Sequence, residues 1–458
     1  MNDEAIAATV ERLRPGFRSG RTRPLAWRRQ QLQALRRLLD EREPEFARAL
    51  QQDLGKPPLE TLVTELGLIR GEIDLALRNL RRWARGSRLP VPLSLQPARA
   101  WIVPQPLGVV LVVAPWNYPV LLLLMPLASA LAAGNCALLK PSELAPATSA
   151  AIARWLPAYL DPDAVAVVEG DAAVASALLE HRFDHVFFTG GARVARIVAA
   201  AAARHLTPMT LELGGRSSAI VSDGDMAVIA RRLVHGKFLN AGQTCVAPDH
   251  VLVLGQCADE LVRELGKAIG EFFGSDPAAS PDFGRIVDQR HFDRLLAMLD
   301  GADIAIGGGH DRESRYLAPT VVLDPPEDSP LLGEEIFGPV LPVIRVPDVA
   351  SAIERINRGP VPLAAYVFTR KPEVQQAVEQ RVRAGAVAVN ACAAHLGVAG
   401  LPFGGVADSG FGRYKGRHGF DTFSQPRPVF SKPTWVDTLR VAYPPYTRAK
   451  EWLLRRFL

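Results

Sequence analysis

The sequence predicts an α/β fold: a parallel, doubly wound sheet for the first domain, a second α/β domain, and a small β arm. Three observations carry this. First, apolar, β-branched runs at "GVVLVVAP", "CALLKPS", "AVAVVEG" and "HVFFTGG" alternate with Ala/Leu-rich helical segments such as "ATSAAIARWLPAYL". That alternation is the pattern of a parallel sheet with helices on both faces. Second, the pattern restarts after residue 212, with helical "DMAVIARRLVHGKFLNAG", a strand in "HVLVLG", and later "PVLPVIRV", "LAAYVFTR" and "GAVAVN". Third, the proline-rich "RGSRLPVPLSLQPARAWIVPQPLG" breaks helical periodicity and suits an extended hairpin. At 458 residues the chain is long enough for two or three domains. The pattern divides it into 1–85 with 107–211, then 212–400, with 86–106 and 401–458 as arm and tail.

In chain order, helices are expected over Asp3 to Leu13, Leu25 to Glu41, Glu45 to Asp53 and Glu60 to Arg85. The second of these is rich in arginine, but Leu32, Leu35, Leu38 and Leu39 recur at helical spacing and acids are interspersed. It reads as the solvated face of a packed helix rather than a basic stripe, so the net charge of +5 does not imply a nucleic-acid partner. The opening "MNDEAIAATVERL" has acids and no basic run ahead of an apolar core, unlike a signal peptide. Residues 108–134 carry no charged side chain, yet Pro115, Pro119, Pro126 and a Trp-Asn-Tyr turn interrupt them. A buried strand from Val109 to Ala114 and a buried helix from Val120 fit better than a membrane span.

Hydrophobic residues make up 48% and charged residues 22%, the balance of a globular protein rather than a disordered one. The four cysteines, Cys136, Cys245, Cys257 and Cys392, form neither a CxxC pair nor a Cys/His cluster. No metal site or disulfide framework is expected, and a reducing, cytoplasmic setting is. The final "RAKEWLLRRFL" is basic, amphipathic and too short to span a bilayer; a subunit interface or a membrane surface would each suit it.

Several local patterns carry chemistry. "FFTGGARVAR" places glycines where a strand gives way to a helix N-terminus, a geometry that receives phosphate and also serves as a plain turn. "KPSE" sets Lys140 and Glu143 just beyond a strand, suited to ribose or phosphate, or to a helix start capped by Ser142. Cys245 stands in "NAGQTCVAPD" among small and polar residues. It is either a buried structural thiol or a nucleophile whose pKa a nearby helix N-terminus lowers. Glu212 ends the apolar run of "LELGG": it is either a salt-bridged or solvent-facing carboxylate, or a partly buried one, which burial would turn into a base near neutral pH. Asn117, in the proline-bounded "PWNYP", offers an amide donor to a developing oxyanion.

Taken together, "PWNYP" (115–119), "KPSE" (140–143), "FTGG" (188–191), "LELGG" (211–215), "GQTC" (242–245), "EEIFGPVLPV" (334–343) and "LPFGGVADSGFGRYKGRHGFDTFSQ" (401–425) resemble the aldehyde dehydrogenase superfamily. The short N-terminus, "NAGQTCVAPD" and "YPPYTRAK" are similar to its class 3 branch, and the likeness runs nearly the whole chain. The resemblance implies a Rossmann-like dinucleotide domain, a catalytic domain and a β arm for oligomerisation. It implies oxidation of an aliphatic or aromatic aldehyde, with Cys245 as nucleophile, Asn117 with the Cys245 N–H as oxyanion donors, and Glu212 activating the hydrolytic water. It implies cofactor contacts from Trp116, Lys140, Glu143, Gly190, Gly191, Glu335 and Phe337, and a substrate pocket at Tyr118 and Thr244. NAD is the expected cofactor, with NADP possible, because Glu143 would repel a 2′-phosphate. A homodimer is the expected assembly. A cofactor-independent thiol esterase and a non-catalytic membrane-surface protein are the competing readings.

The chain also departs from the family pattern. Gly191 stands where a serine is usual, Ala195 where a glycine is usual, and Arg216-Ser217-Ser218 replaces Lys-Ser-Pro. The first two changes keep backbone donors and lose a hydroxyl; the sequence offers no account of the third.

Overall fold

The computed structural model describes residues 3–457. Met1 and Asn2, at the acidic start, and Leu458, at the end of the basic tail, lie outside them.

The first sheet has six strands in the order Gly410–Phe411, Met209–Glu212, His185–Thr189, Val109–Val113, Cys136–Lys140 and Val165–Val167. All pairings are parallel except that of Gly410–Phe411. Every residue of Cys136–Lys140 is buried, as expected of a strand covered on both faces. From Val109–Val113 the chain winds outward through Cys136–Lys140 and Val165–Val167. It then returns to the other side of Val109–Val113 to lay down His185–Thr189. The winding reverses between those two neighbours, and a doubly wound sheet binds its ligand at the carboxyl ends of such strands. "APWNYP" and "TGG" are the two turns that meet there.

The uncharged stretch forms the strand Val109–Val113 and the helix Leu121–Ala133, all thirteen of whose residues are buried. A helix enclosed on every side needs no polar face. Its N-terminal donors are taken by Glu65, whose Oε2 accepts the N–H groups of Val120 at 2.9 Å and Leu121 at 3.0 Å.

Leu25–Glu41 forms with the expected bounds, and the first helix runs on from Asp3 to Arg18. The segment expected as one helix from Glu60 to Arg85 is three: Pro58–Thr61, a π-helical turn Leu62–Leu66, and Gly67–Ala84. Such widened turns concentrate at functional sites. Here the turn carries the fully buried Glu65, together with Val63 and Thr64 on a cavity wall.

The second sheet has seven strands, in the order Ile304–Ile306, Thr320–Leu323, Val340–Val346, His250–Leu254, Ser218–Val221, Ala364–Phe368 and Ala386–Val389. It is parallel apart from its first pair. The proline-rich arm forms Ser87–Leu89 and Arg99–Pro106, antiparallel to each other, and Ser424–Ser431 pairs along the full length of the second. Pro426 and Pro428 lie in that outer strand, where a missing N–H is tolerated at a sheet edge. The tail is the helix Arg448–Phe457. Among the described residues no helix is long and apolar enough to cross a membrane, and no cluster of three or more His, Cys, Asp or Glu could hold a metal ion.

Candidate active site

The turns at the switch point border a cavity of about 390 Å³. Trp116 and Asn117 line it from the turn after Val109–Val113, Gly190 and Gly191 from the turn after His185–Thr189, and Glu212 from the end of Met209–Glu212. Cys245, Glu335 and Phe337 close it from the other side. Trp116 packs edge-to-face with Phe337, ring centroids 5.5 Å apart, and with His291, 5.1 Å apart. Lys140 and Glu143 stand outside this cavity at the end of Cys136–Lys140, with Lys140 Nζ donating to the Pro141 carbonyl at 2.8 Å and to Glu143 at 3.3 Å.

The residues present fit a dinucleotide. Gly191 caps the helix Ala192–Arg204 with no side-chain bond, so the N–H groups of its first turn are left for a ligand. Thr189 Oγ1 is buried without a partner in the same cavity wall. A Cβ built on Gly191 would meet no atom within 4 Å, so glycine is not demanded by packing at this departure from the family pattern. Gly191→Ser should therefore fold normally and strengthen the helix cap by a few tenths of a kcal/mol. It should also lower KM for NAD by donating to phosphate; a KM that rises would show the hydroxyl obstructs the site.

A second cavity, an apolar tunnel of about 240 Å³, approaches Cys245 from the opposite side. Tyr118 and Thr244 line it and are joined by a 2.7 Å hydrogen bond between their hydroxyls. Leu122, Met125 and Phe403 supply much of the remaining wall. Cys245 borders both cavities. Leu122 is shared as well, but Cys245 is the nucleophilic side chain at the junction.

The turn bearing Cys245 is held by buried amides. Gln243 Nε2 donates to the carbonyls of Asn240 at 2.9 Å and Arg285 at 3.0 Å, and its Oε1 accepts the Val287 N–H at 2.9 Å. Asn117 Nδ2 donates to the Gln243 carbonyl at 3.0 Å, which ties the oxyanion candidate to the cysteine turn. An amide nitrogen has two hydrogens, so one donor of Asn117 remains. The Asn117 carbonyl accepts Lys56 Nζ at 3.2 Å and Asn240 Nδ2 at 2.7 Å. Lys56 in turn is paired with Glu65 at 2.5 Å, both fully buried. Breaking one partner of such a pair costs about 3–5 kcal/mol.

Electrostatics correct one sequence expectation. No helix starts at Cys245; it follows the 3₁₀ turn Leu239–Gly242, in which Asn240 and Ala241 have φ near +52°. Burial first, then the neighbouring Glu335 and Glu212, push the thiol up to about 12, while backbone N–H groups of Cys245 and Val246 pull it partly back. Glu212 is 2% exposed and neither carboxylate oxygen has a partner. Burial raises its pKa well above the usual carboxylate range, opposed only by Arg413. Burial likewise lifts Glu335 to about 8, despite a Gly215 N–H and the nearby Lys237. Both carboxylates thus disfavour the thiolate. In the cofactor-free protein, iodoacetamide should label Cys245 more slowly at pH 7 than a free thiol, with a rate rising about tenfold per pH unit through the alkaline range. A pH-independent labelling rate would overturn the protonated-thiol assignment.

Sequence reasoning missed Lys56, Glu65, Gln243, His291 and Arg294. All but Gln243, which sits inside "GQTC", are remote from the motif they support. Arg294 Nη1 donates to the Glu335 carbonyl at 3.3 Å and Nη2 to that of Ile336 at 2.5 Å, fixing the turn that carries Glu335 and Phe337. Arg216, uninterpretable in sequence, acts on the same turn. Its Nε lies 3.0 Å from Asp249, its Nη1 donates to the Leu332 carbonyl, and Asp249 Oδ1 accepts the Ile336 N–H at 2.9 Å. Ser218, where proline is usual, bonds His250 Nε2 through its hydroxyl at 3.1 Å.

A switch-point crevice fitted for a dinucleotide, meeting an apolar tunnel at one cysteine, defines a nicotinamide-dependent oxidoreductase. A sequence model of the aldehyde dehydrogenase family matches residues 1–429, and the chain belongs to that family. It is 46% identical over 444 residues to human aldehyde dehydrogenase family 3 member B1, covering 96% of this chain and 95% of that protein. It is 45% identical over 452 residues to Arabidopsis thaliana aldehyde dehydrogenase family 3 member H1, covering 97% and 93%. The solved structure of substrate-bound Staphylococcus aureus AldH superposes with a TM-score of 0.96 at 37% identity and covers 99% of each chain. P. syringae AldA, an indole-3-acetaldehyde dehydrogenase solved with NAD⁺, superposes with a TM-score of 0.85 at 27% identity, covering 94% and 90%. The class 3 resemblance is borne out, and with it NAD(P)-dependent oxidation of aldehydes to carboxylic acids.

Proposed function

We propose that this chain oxidises an aliphatic or aromatic aldehyde to the acid by covalent catalysis at Cys245, with NAD preferred over NADP. The observation that carries the reading is the position of Cys245 between an apolar tunnel and a dinucleotide-sized cavity that also holds Asn117 and Glu212. Cys245 releases its proton to solvent and attacks the carbonyl carbon as the thiolate; the carbonyl π bond opens onto oxygen, and the product is a thiohemiacetal anion. The free N–H of Asn117 and the backbone N–H of Cys245 hold the oxyanion. Bound NAD(P) would supply the hydride acceptor that this adduct needs to become a thioester. Glu212, in its ionised form, takes a proton from water as that water attacks the thioester and the C–S bond breaks. The acid departs and the thiol is restored.

Trp116, Gly190, Gly191, Glu335 and Phe337 would bind the pyrophosphate and nicotinamide ribose, and Lys140 with Glu143 the adenosine ribose. Glu143 is charged and half-exposed, and would repel a 2′-phosphate. Tyr118 and Thr244 would border the aldehyde. Free cysteines support a reducing, cytoplasmic compartment. The exposed strand Ser424–Ser431 and the helix Arg448–Phe457, with Trp452 63% exposed, support a homodimer interface.

The test is a panel of alkanals and aromatic aldehydes with NAD and NADP, followed at the absorbance of the reduced cofactor and by product identification. Free acid with higher kcat/KM for NAD is expected. Absence of turnover with both cofactors overturns the reading. Ester hydrolysis that exceeds aldehyde oxidation and ignores NAD would instead favour a thiol esterase.

A further inference from the structure

The helix Met226–Phe238 runs alongside the tunnel and presents His235 to it. Arg231 lies one turn earlier on the same face. Arg231, Arg232 and His235 are all exposed. They border a further cavity of about 480 Å³, closed on its other side by Asn390 and its neighbours. This cavity shares His235, Cys392 and Ala394 with the tunnel, so the two adjoin at a common lip.

Charge is distributed one-sidedly along this route. Among the described residues lining the tunnel and the outer cavity, none is Asp or Glu, whereas the ionisable cations are Lys415, Arg231 and Arg232. The dinucleotide cavity is the reverse in carboxylates, holding Glu212, Glu334 and Glu335. Lys415 is committed: its ammonium donates to the Leu396 carbonyl and, at 3.5 Å, to that of Val398. The two arginines are not. Arg232 spends one of its five donors on the Asn390 carbonyl at 2.5 Å. Arg231 reaches Glu271 only at 3.8 Å, between two well-exposed side chains, a pairing worth little. A neutral tail leaving the tunnel gains nothing from this pair, whereas a carboxylate gains charge-assisted, fork-shaped hydrogen bonds.

We infer that the outer cavity is an anion-receiving vestibule, and that the preferred substrates are ω-oxo carboxylates, aldehydes with a carboxylate at the far end of an apolar chain. The inference rests on the reading of Cys245 as nucleophile and of the tunnel as the substrate's path. The aldehyde carbon meets Cys245, the methylenes fill the tunnel, and the carboxylate sits between Arg231 and Arg232.

The test compares ω-oxo carboxylates with their methyl esters and with n-alkanals of matched length, as kcat/KM at low ionic strength, in the intact chain and in R231Q/R232Q. The carboxylate should exceed its ester by about tenfold, the size of a charge-assisted hydrogen bond. The margin should shrink as salt is added. In R231Q/R232Q the ratio within that protein should fall to about unity, and R231K/R232K should keep most of it, since the charge remains. Oxidation of all three substrate types with no preference for the carboxylate overturns the vestibule and leaves aldehyde oxidation standing. A preference that survives in R231Q/R232Q also overturns it. Oxidation of none of them overturns the underlying reading instead.

Discussion

Cys245→Ala is expected to lower kcat for aldehyde oxidation by about 10⁴-fold or more, because no other nucleophile borders both cavities. The loss should appear in kcat, since the turn's shape is set by Gln243, Asn240 and Asn117 rather than by the sulfur. Calorimetric titration should still show dinucleotide binding, which separates lost chemistry from lost folding. The other cysteines make the contrast. Cys136 is wholly buried in a strand, and Cys257 begins a surface helix, so their replacement touches stability alone. Cys392 differs from both: it is 5% exposed and lines the tunnel, so enlarging it should shift KM for the aldehyde more than kcat. Near-normal turnover in C245A would refute the assignment.

Glu212→Gln should slow thioester hydrolysis by about 10²–10⁴-fold, the usual contribution of a positioned general base. The readout is a burst: one equivalent of reduced cofactor forms rapidly, then turnover stalls. An unchanged steady-state rate with a lost burst would place Glu212 in hydride transfer or acylation instead. The same substitution has a second, independent signature. Glu212 has a pKa raised above its unfolded value by burial, with only Arg413 opposing. The folded protein thus holds this proton more tightly than the unfolded chain. Its contribution to stability is present below the ordinary carboxylate pKa and is lost as pH rises toward the folded value. Glutamine carries no such penalty, so E212Q should melt higher than the parent at pH 8, and the difference should narrow at pH 5. Equal melting at both values would mean the carboxylate finds a partner in solution.

Much of the site was legible because its residues sit in short motifs at strand ends. "PWNYP", "FTGG" and "LELGG" each follow an apolar run, and in a parallel sheet all such ends point the same way. The structure gathers Trp116, Asn117, Gly190, Gly191 and Glu212 into one cavity for that reason. Lys140 and Glu143 obey the same rule but lie beyond the cavity, one strand further from the switch point. The thiol's environment is the part that local sequence leaves open between a buried and an acidified cysteine. Small and polar neighbours suggested an open, acidified cysteine, whereas burial beside two carboxylates raises it. Polarity of neighbours in sequence does not report which remote side chains share their space.

What the sequence by itself determined is the parallel winding, the candidate reactive groups and their order along the chain. These follow from local hydrophobic period, turn chemistry and side-chain type. Only the tertiary structure decided how those groups are supported and charged. The Lys56–Glu65 pair behind Asn117, the Arg216–Asp249 and Arg294 contacts on the Glu335 turn, and the cations beyond the tunnel all join segments far apart in sequence. Hydrogen bonds and Coulomb energies depend on distance and burial in space, and residue spacing along a chain encodes neither once the elements pack.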